Sequence, residues 1–287
     1  MRSLSGVIIL ATTLARTLSA QQLPDSLVAQ IREGAAQSIF RAGSTVVPLV
    51  GTRTLPLVEV RINGHGPFRF LIDLGSNVVV VRRGIADAAG GMVLVDRPRG
   101  DIIRFDSLTL GAVRFDRVIA AAYDTLDVDG VLGYNVLQLQ SFTLDYPNQT
   151  LELHTRALSR PDYRTIFPYT VEGRMPMLTL RIGADSLVVN LDTGATEWMT
   201  IPPGLRDKLR WRGPVVPGRI TSNNQTGLQR VEEGRLRDTV RIGPLAFAEM
   251  LVYINPDADG SWVGSAAMQD AIWTFDPRNR RLAIQRR

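Results

Sequence analysis

Five short blocks of this chain occur twice, in the same order, once in each half. Leu55-Pro56-Leu57-Val58-Glu59-Val60-Arg61-Ile62 is echoed by Met175-Pro176-Met177-Leu178-Thr179-Leu180-Arg181-Ile182. Phe70-Leu71-Ile72-Asp73-Leu74-Gly75 returns as Val189-Asn190-Leu191-Asp192-Thr193-Gly194, the two aspartates 192 − 73 = 119 positions apart. Asp106-Ser107-Leu108-Thr109-Leu110-Gly111 matches Asp238-Thr239-Val240-Arg241-Ile242-Gly243. Asp129-Gly130-Val131-Leu132-Gly133 matches Asp259-Gly260-Ser261-Trp262-Val263-Gly264, and Phe142-Thr143-Leu144-Asp145 matches Trp273-Thr274-Phe275-Asp276. Ordered blocks separated by unequal gaps point to a duplicated unit of roughly 110 residues, the size of a small domain.

Within each unit the pattern is β. Apolar and polar residues alternate along Leu57–Ile62, and Asn63-Gly64-His65-Gly66-Pro67 reads as a hairpin turn. Helical period is confined to short stretches after each Asp-x-Gly, Arg83–Ala89 and Pro203–Leu209. The expectation is an all-β chain of two homologous units, with many strands and a few short helices. Residues 52–158 form the first lobe, 159–167 a linker and 168–287 the second. Ahead of them, 21–51 read as an extension that is partly helical, because Leu27, Ile31, Ala35 and Ile39 recur every fourth position. Packing on the body suits this extension better than a role as a pro-segment over the cleft, since it lacks a lysine-rich run.

Residues 1–20 have the layout of an export signal: Arg2, an apolar run from Val7 to Leu14, then Ser19-Ala20 before Gln21. The expected location is therefore periplasmic or secreted, with no stable membrane insertion, since the apolar run is too short to span a bilayer. The chain has no cysteine, which removes disulfides and lipid attachment through a thiol. Of its 33 basic residues 32 are arginine, scattered rather than gathered into a basic face interleaved with aromatics, so a nucleic-acid partner is not expected.

The chemistry points to the aspartates. An Asp-Ser/Thr-Gly tripeptide has a chance on the order of 0.1–0.2 of occurring somewhere in a chain this long, so Asp192-Thr193-Gly194 alone says little. Two copies at matching strand ends say more. A carboxyl pair activates water when one member is ionised and accepts its proton while the other stays protonated and polarises the carbonyl. Gly75 and Gly194 are expected because a side chain there would keep backbone N–H groups from turning onto the carboxylates. Gly133 and Gly264 are expected to let a buried strand run close beside each aspartate loop. Other chemistries lack parts: His65 and His154 are the only histidines, read as exposed at a turn and a strand end, with no metal-ligand or triad spacing around them.

These motifs resemble those of the bacterial pepsin/retropepsin-like aspartyl proteases, over about residues 52–287. The resemblance implies a peptide-binding cleft between two barrel-like lobes of six-stranded type, in a monomer with internal pseudo-twofold symmetry, no metal and no cofactor. It implies Asp73 and Asp192 as catalytic residues, with Gly75, Ser76, Thr193, Gly194 and Ala195 shaping the active-site loops and Gly133 and Gly264 supporting them. The implied activity is aspartic-type endopeptidase, acting on peptide or protein substrates. Leu74 stands where the family places Thr or Ser, whose hydroxyl bonds across to the opposite loop; Thr193 is expected to make half of that exchange. The Met92–Phe105 segment, where a flap would lie, has no tyrosine. The alternative reading is a weak or inactive protease-fold protein that binds peptides in the cell envelope.

Overall fold

A computed structural model describes residues 37–40, 43–97, 100–223 and 227–286. The export signal and most of the proposed helical stripe lie outside these residues. Strands dominate what is described, as expected, and the strands alternate between buried and exposed positions wherever one sheet face meets solvent, as in Val58 to Ile62. Among the described residues no helix is long and apolar enough to cross a membrane.

The extension contributes strands rather than a helix where it is described. β1 (Gln37–Phe40) pairs with the first lobe and β2 (Ser44–Pro48) with a sheet shared by both halves. Ile39, last of the proposed helical stripe, thus sits in a strand opposite Arg114. The local reason is β propensity: Ile39-Phe40 and Val46-Val47 fit a pleated surface, and two sheet edges were open to receive them.

The first lobe comprises β3 (Leu57–Ile62), β4 (His65–Asp73), β5 (Val79–Arg82), the helix α1 (Arg83–Ala88), β6 (Met92–Val95), β7 (Asp101–Leu110), β8 (Val113–Tyr123), β9 (Gly130–Gly133) and the one-turn helix α2 (Tyr134–Leu137). Asn63 and Gly64 take positive φ and make the β3–β4 hairpin turn. Strands run in the order β8-β5-β9-β4-β3-β7, and β7 also pairs with β8, closing a six-stranded barrel. Phe70, Phe105, Phe115 and Leu132 belong to its fully buried interior.

The second lobe holds β13 (Thr170–Glu172), β14 (Met175–Ile182), β15 (Asp185–Asp192), β16 (Met199–Ile201), a 3-10 turn at Pro203–Lys208, β17 (Val216–Asn223), β18 (Gly227–Arg235), β19 (Val240–Ile242), β20 (Leu245–Phe247), β21 (Leu251–Ile254) and β22 (Trp262–Gly264). Its strand order, β17-β18-β21-β16-β22-β15-β14-β19-β20, follows that of the first lobe, but the sheet stays open. The long β7–β8 hairpin that closes the barrel has a broken counterpart here, interrupted after Arg235 and again after Phe247. The Arg210–Arg212 segment occupies the break: Arg212 N–H donates to Arg235 C=O at 2.9 Å and Arg237 N–H to Arg210 C=O at 2.9 Å. Backbone groups that would continue the ladder are satisfied by this insertion instead.

A third sheet joins the halves. Its order is β12 (Ile166–Pro168), β24 (Arg281–Arg286), β23 (Ala271–Asp276), β10 (Ser141–Asp145), β11 (Thr150–His154) and β2. β10 from the first half pairs antiparallel with β23 from the second, placing Phe142 opposite Phe275. Those rings stack at 4.6 Å, and the Thr143 and Thr274 hydroxyls meet at 2.9 Å. His154 lies in this sheet and is 1% exposed, not a surface residue; its Nε2 is 3.1 Å from the Thr143 hydroxyl. Its strand-end position hid the covering β2, which pairs along the whole of β11.

Candidate active site

Asp73 is the last residue of β4 and Asp192 the last of β15. Both strands are central in their sheets, so both carboxylates emerge from the interior. Beside each runs a parallel strand, β9 with Gly133 level with Asp73, and β22 with Gly264 level with Asp192. A Cβ on Gly133 would sit 2.4 Å from the Val78 carbonyl oxygen, and one on Gly264 would sit 2.2 Å from that of Glu197. The chain returning from each aspartate loop therefore lies directly on these glycines, the close approach expected of them.

The two loops make matching turns. Gly75 N–H donates to Asp73 Oδ1 at 2.8 Å, and Gly194 N–H donates to Asp192 Oδ1 at 2.9 Å. Ala195 N–H adds a bond to the same Asp192 oxygen at 3.0 Å. Ser76, fully buried, accepts from Tyr134 N–H at its backbone carbonyl (2.8 Å) and donates its hydroxyl to Val78 C=O (2.8 Å). Ala195 C=O likewise accepts from Ser265 N–H at 2.8 Å.

Between the lobes the carboxyl groups of Asp73 and Asp192 face each other, each close enough to alter the other's proton affinity. Glycine makes this possible for a reason beyond the N–H turn. A Cβ on Gly75 would lie 2.4 Å from Asp192 Cγ, and one on Gly194 would lie 2.6 Å from Asp73 Cγ. Each glycine gives up its side-chain space to the other lobe's carboxyl.

Burial sets the proton affinities. Asp73 and Asp192 are 2% and 7% exposed. Desolvation pushes Asp73 up to about 6, although the bond from Asp192 and the N–H groups of Gly75, Ser76 and Gly194 oppose it. Asp192 is raised well above its ordinary value, by burial first and then by the Asp73 charge. Both carboxyls are thus raised, so the pair keeps a proton that an isolated carboxylate would lose.

Leu74 and Thr193 occupy the equivalent positions next to the aspartates. Thr193 Oγ1 accepts from Leu74 N–H at 3.0 Å and donates to Ile72 C=O at 2.7 Å. One hydroxyl therefore makes both of these cross-lobe bonds. Leu74 has no hydroxyl to return them, and its fully buried side chain joins the apolar core instead.

Two contributors escaped the motif reading. The Ser265 hydroxyl lies between two carbonyls, 2.6 Å from Thr54 C=O and 2.9 Å from Ala195 C=O, and shares its one proton between them, tying the Asp192 loop to the segment entering the first lobe. The counterpart after Gly133 is Tyr134, so only the backbone bond is common to both copies and the side chain left no repeat to find. Glu197, buried on the Asp192 loop, stands where the first copy has Val78 (197 − 119 = 78); a carboxylate in an otherwise apolar stretch was its only signal.

Residues 58–136 match the aspartyl protease family model, a stretch that includes Asp73, Gly75, Ser76 and Gly133. No curated protein matches the chain.

Two outcomes are expected. Thr193→Val removes the hydroxyl at nearly constant volume and leaves Leu74 N–H and Ile72 C=O buried without it, so unfolding free energy in urea falls by about 1–3 kcal/mol. For a carboxyl whose folded pKa is raised, the folded state binds more protons than the unfolded one between the two values, so stability is lost as pH rises through that window. With Asp73 moving from 3.8 to about 6, Asp73→Asn should gain on the unmodified protein between about pH 4 and pH 6. A gain of about 1–3 kcal/mol is expected, read from urea unfolding at each pH; a constant difference would count against the raised pair. That span makes it a large share of a domain's stability.

Proposed function

We propose that this protein is an exported aspartic endopeptidase that hydrolyses peptide bonds with a water activated by Asp73 and Asp192. The single observation carrying the reading is the pair of buried carboxyls, facing each other across two lobes and raised in proton affinity. A protonated Asp192 polarises the substrate carbonyl, while ionised Asp73 accepts a proton from the attacking water. The tetrahedral species breaks down as a proton passes to the leaving amine, with no covalent enzyme intermediate. The aspartyl protease match over residues 58–136 supports the reaction class. The matched turns at Asp73 and Asp192, and the common strand order of the lobes, support a duplicated, self-contained active site in a monomer, with pseudo-twofold symmetry supplying both carboxyls.

A second reading is favoured by one observation, the single hydroxyl at the Leu74–Thr193 joint. In that reading the same cleft binds peptides in the cell envelope without turning them over. Hydrolysis of a mixed peptide library between acidic and neutral pH separates the two, with a statine-containing inhibitor as control. Under the endopeptidase reading, Asp73→Asn and Asp192→Asn each lower kcat/KM by about 10³-fold or more while the fold is kept. The expected pH profile is bell-shaped, because cleavage needs one proton on the pair and is lost when both carboxyls are protonated or both ionised. Statine-inhibitor binding without any hydrolysis would establish the binding protein instead.

A further inference from the structure

Glu197 is the one carboxylate outside the dyad that sits on an aspartate loop and is buried, its side chain 1% exposed. Three elements converge on it. Arg219 of β17 donates from Nη2 to Oε2 at 2.9 Å, while the Trp262 indole of β22 and the Thr200 hydroxyl of β16 reach Oε1 at 3.4 Å each. The Arg219 guanidinium carbon in turn lies 4.5 Å above the Tyr253 ring of β21. The backbone carbonyl of Glu197 rests against Gly264, the residue level with Asp192. Burying an ion pair is costly, and an apolar residue would fill the same space with less loss, as Val78 does in the first lobe. A carboxylate retained here calls for a role that valine does not meet.

We propose that Glu197 and Arg219 are positioning residues for Asp192: Glu197 ties the Asp192 loop to β16, β17 and β22 and places a negative charge beside Asp192, and Arg219 balances that charge. The inference rests on the dyad reading and deepens it. Geometry and charge agree, since the Glu197 carboxylate is among the groups that raise Asp192, after burial and Asp73. The other ionisable groups around this cluster are Asp73 across the cleft, Tyr146, which lies buried within reach of the Asp192 charge, and Tyr253, Glu233 and Arg235 on the strands under Arg219. Among the described residues none of these bonds to Glu197; its charged partner is Arg219. The first lobe uses a tie of reversed sense: Arg83 of α1, after the Asp73 loop, pairs with Asp101 at the start of β7. No second carboxylate is thereby brought to the Asp73 loop, so the charge effect falls on one aspartate of the two.

The test follows the titration of the aspartate carboxyl carbons by 13C NMR in aspartate-labelled protein, a readout that needs no turnover. Failure of the wild-type protein to cut peptides would thus bear on the dyad reading alone. Glu197→Gln keeps an acceptor for Trp262 and Thr200 but removes the charge, and it should move the upper midpoint of the pair to lower pH. Arg219→Gln leaves Glu197 uncompensated and should move the same midpoint to higher pH, and Arg219→Lys should restore it. Each shift should correspond to a several-fold change in proton affinity. Shifts in the same direction, or unmoved midpoints in folded variants, would overturn the proposal. If Glu197→Gln does not fold, the one-third-exposed Arg219 position still decides, because an Arg219→Gln midpoint that stays put or falls contradicts the account.

Discussion

Everything distinctive in this molecule depends on two buried carboxyl groups facing each other inside a protein. Like charges brought face to face resist joint ionisation, so this arrangement favours one shared proton and needs a backbone that leaves room for it. Gly75 and Gly194 supply the room, each by yielding its side-chain position to the opposite aspartate. Burial supplies the proton, by making full ionisation costly. Neither condition is met by a surface loop. Both loops leave the buried ends of central strands, and each is backed by a parallel strand whose glycine admits the returning chain.

The surrounding architecture reads as the means of keeping that arrangement rigid. The sheet shared by the two halves joins β10 to β23, and the stacked Phe142 and Phe275 fix one lobe against the other. Thr193 adds a cross-lobe joint of its own, through both its donor and its acceptor capacity. With Leu74 opposite, the joint is one-sided, hydrogen-bonded from the second lobe and apolar from the first. The asymmetry extends outward: the first lobe is a closed barrel, while the second is opened by the Arg210–Arg212 insertion and carries the Glu197–Arg219 pair. Two similar frames thus offer the two aspartates unequal surroundings, which suits the proposed reaction, in which one acts as acid and one as base.

Much of this was legible in the sequence, for reasons that differ by element. The strands around Asp73 and Asp192 could be found because alternation and turn residues are local signals, and each copy corroborated the other. The short helical turns at Arg83 and Pro203 followed from local period in the same way. Where the two copies diverge, the comparison fell silent. Ser265 corresponds to Tyr134 and Glu197 to Val78 in the other copy, so neither could be recognised as part of the site without its spatial partners. Ile39 and His154 were misread for one shared reason. The N-terminal strands that pair with β8 and β11 come from far away in the chain, and long-range pairing overrode a four-residue apolar period in one case and buried a strand end in the other. The role of the loop glycines was half legible: the N–H turn is local, whereas the opposing carboxyl is a neighbour 119 residues away.

Locating the shared proton tests the account most directly. Neutron diffraction from deuterium-exchanged crystals grown near neutral pH would show the hydrogen positions between Asp73 and Asp192. The account predicts one deuteron for the two carboxyls, bonded to Asp192 and directed at Asp73. Two deuterons, none, or carboxyls lying out of hydrogen-bond reach would contradict it.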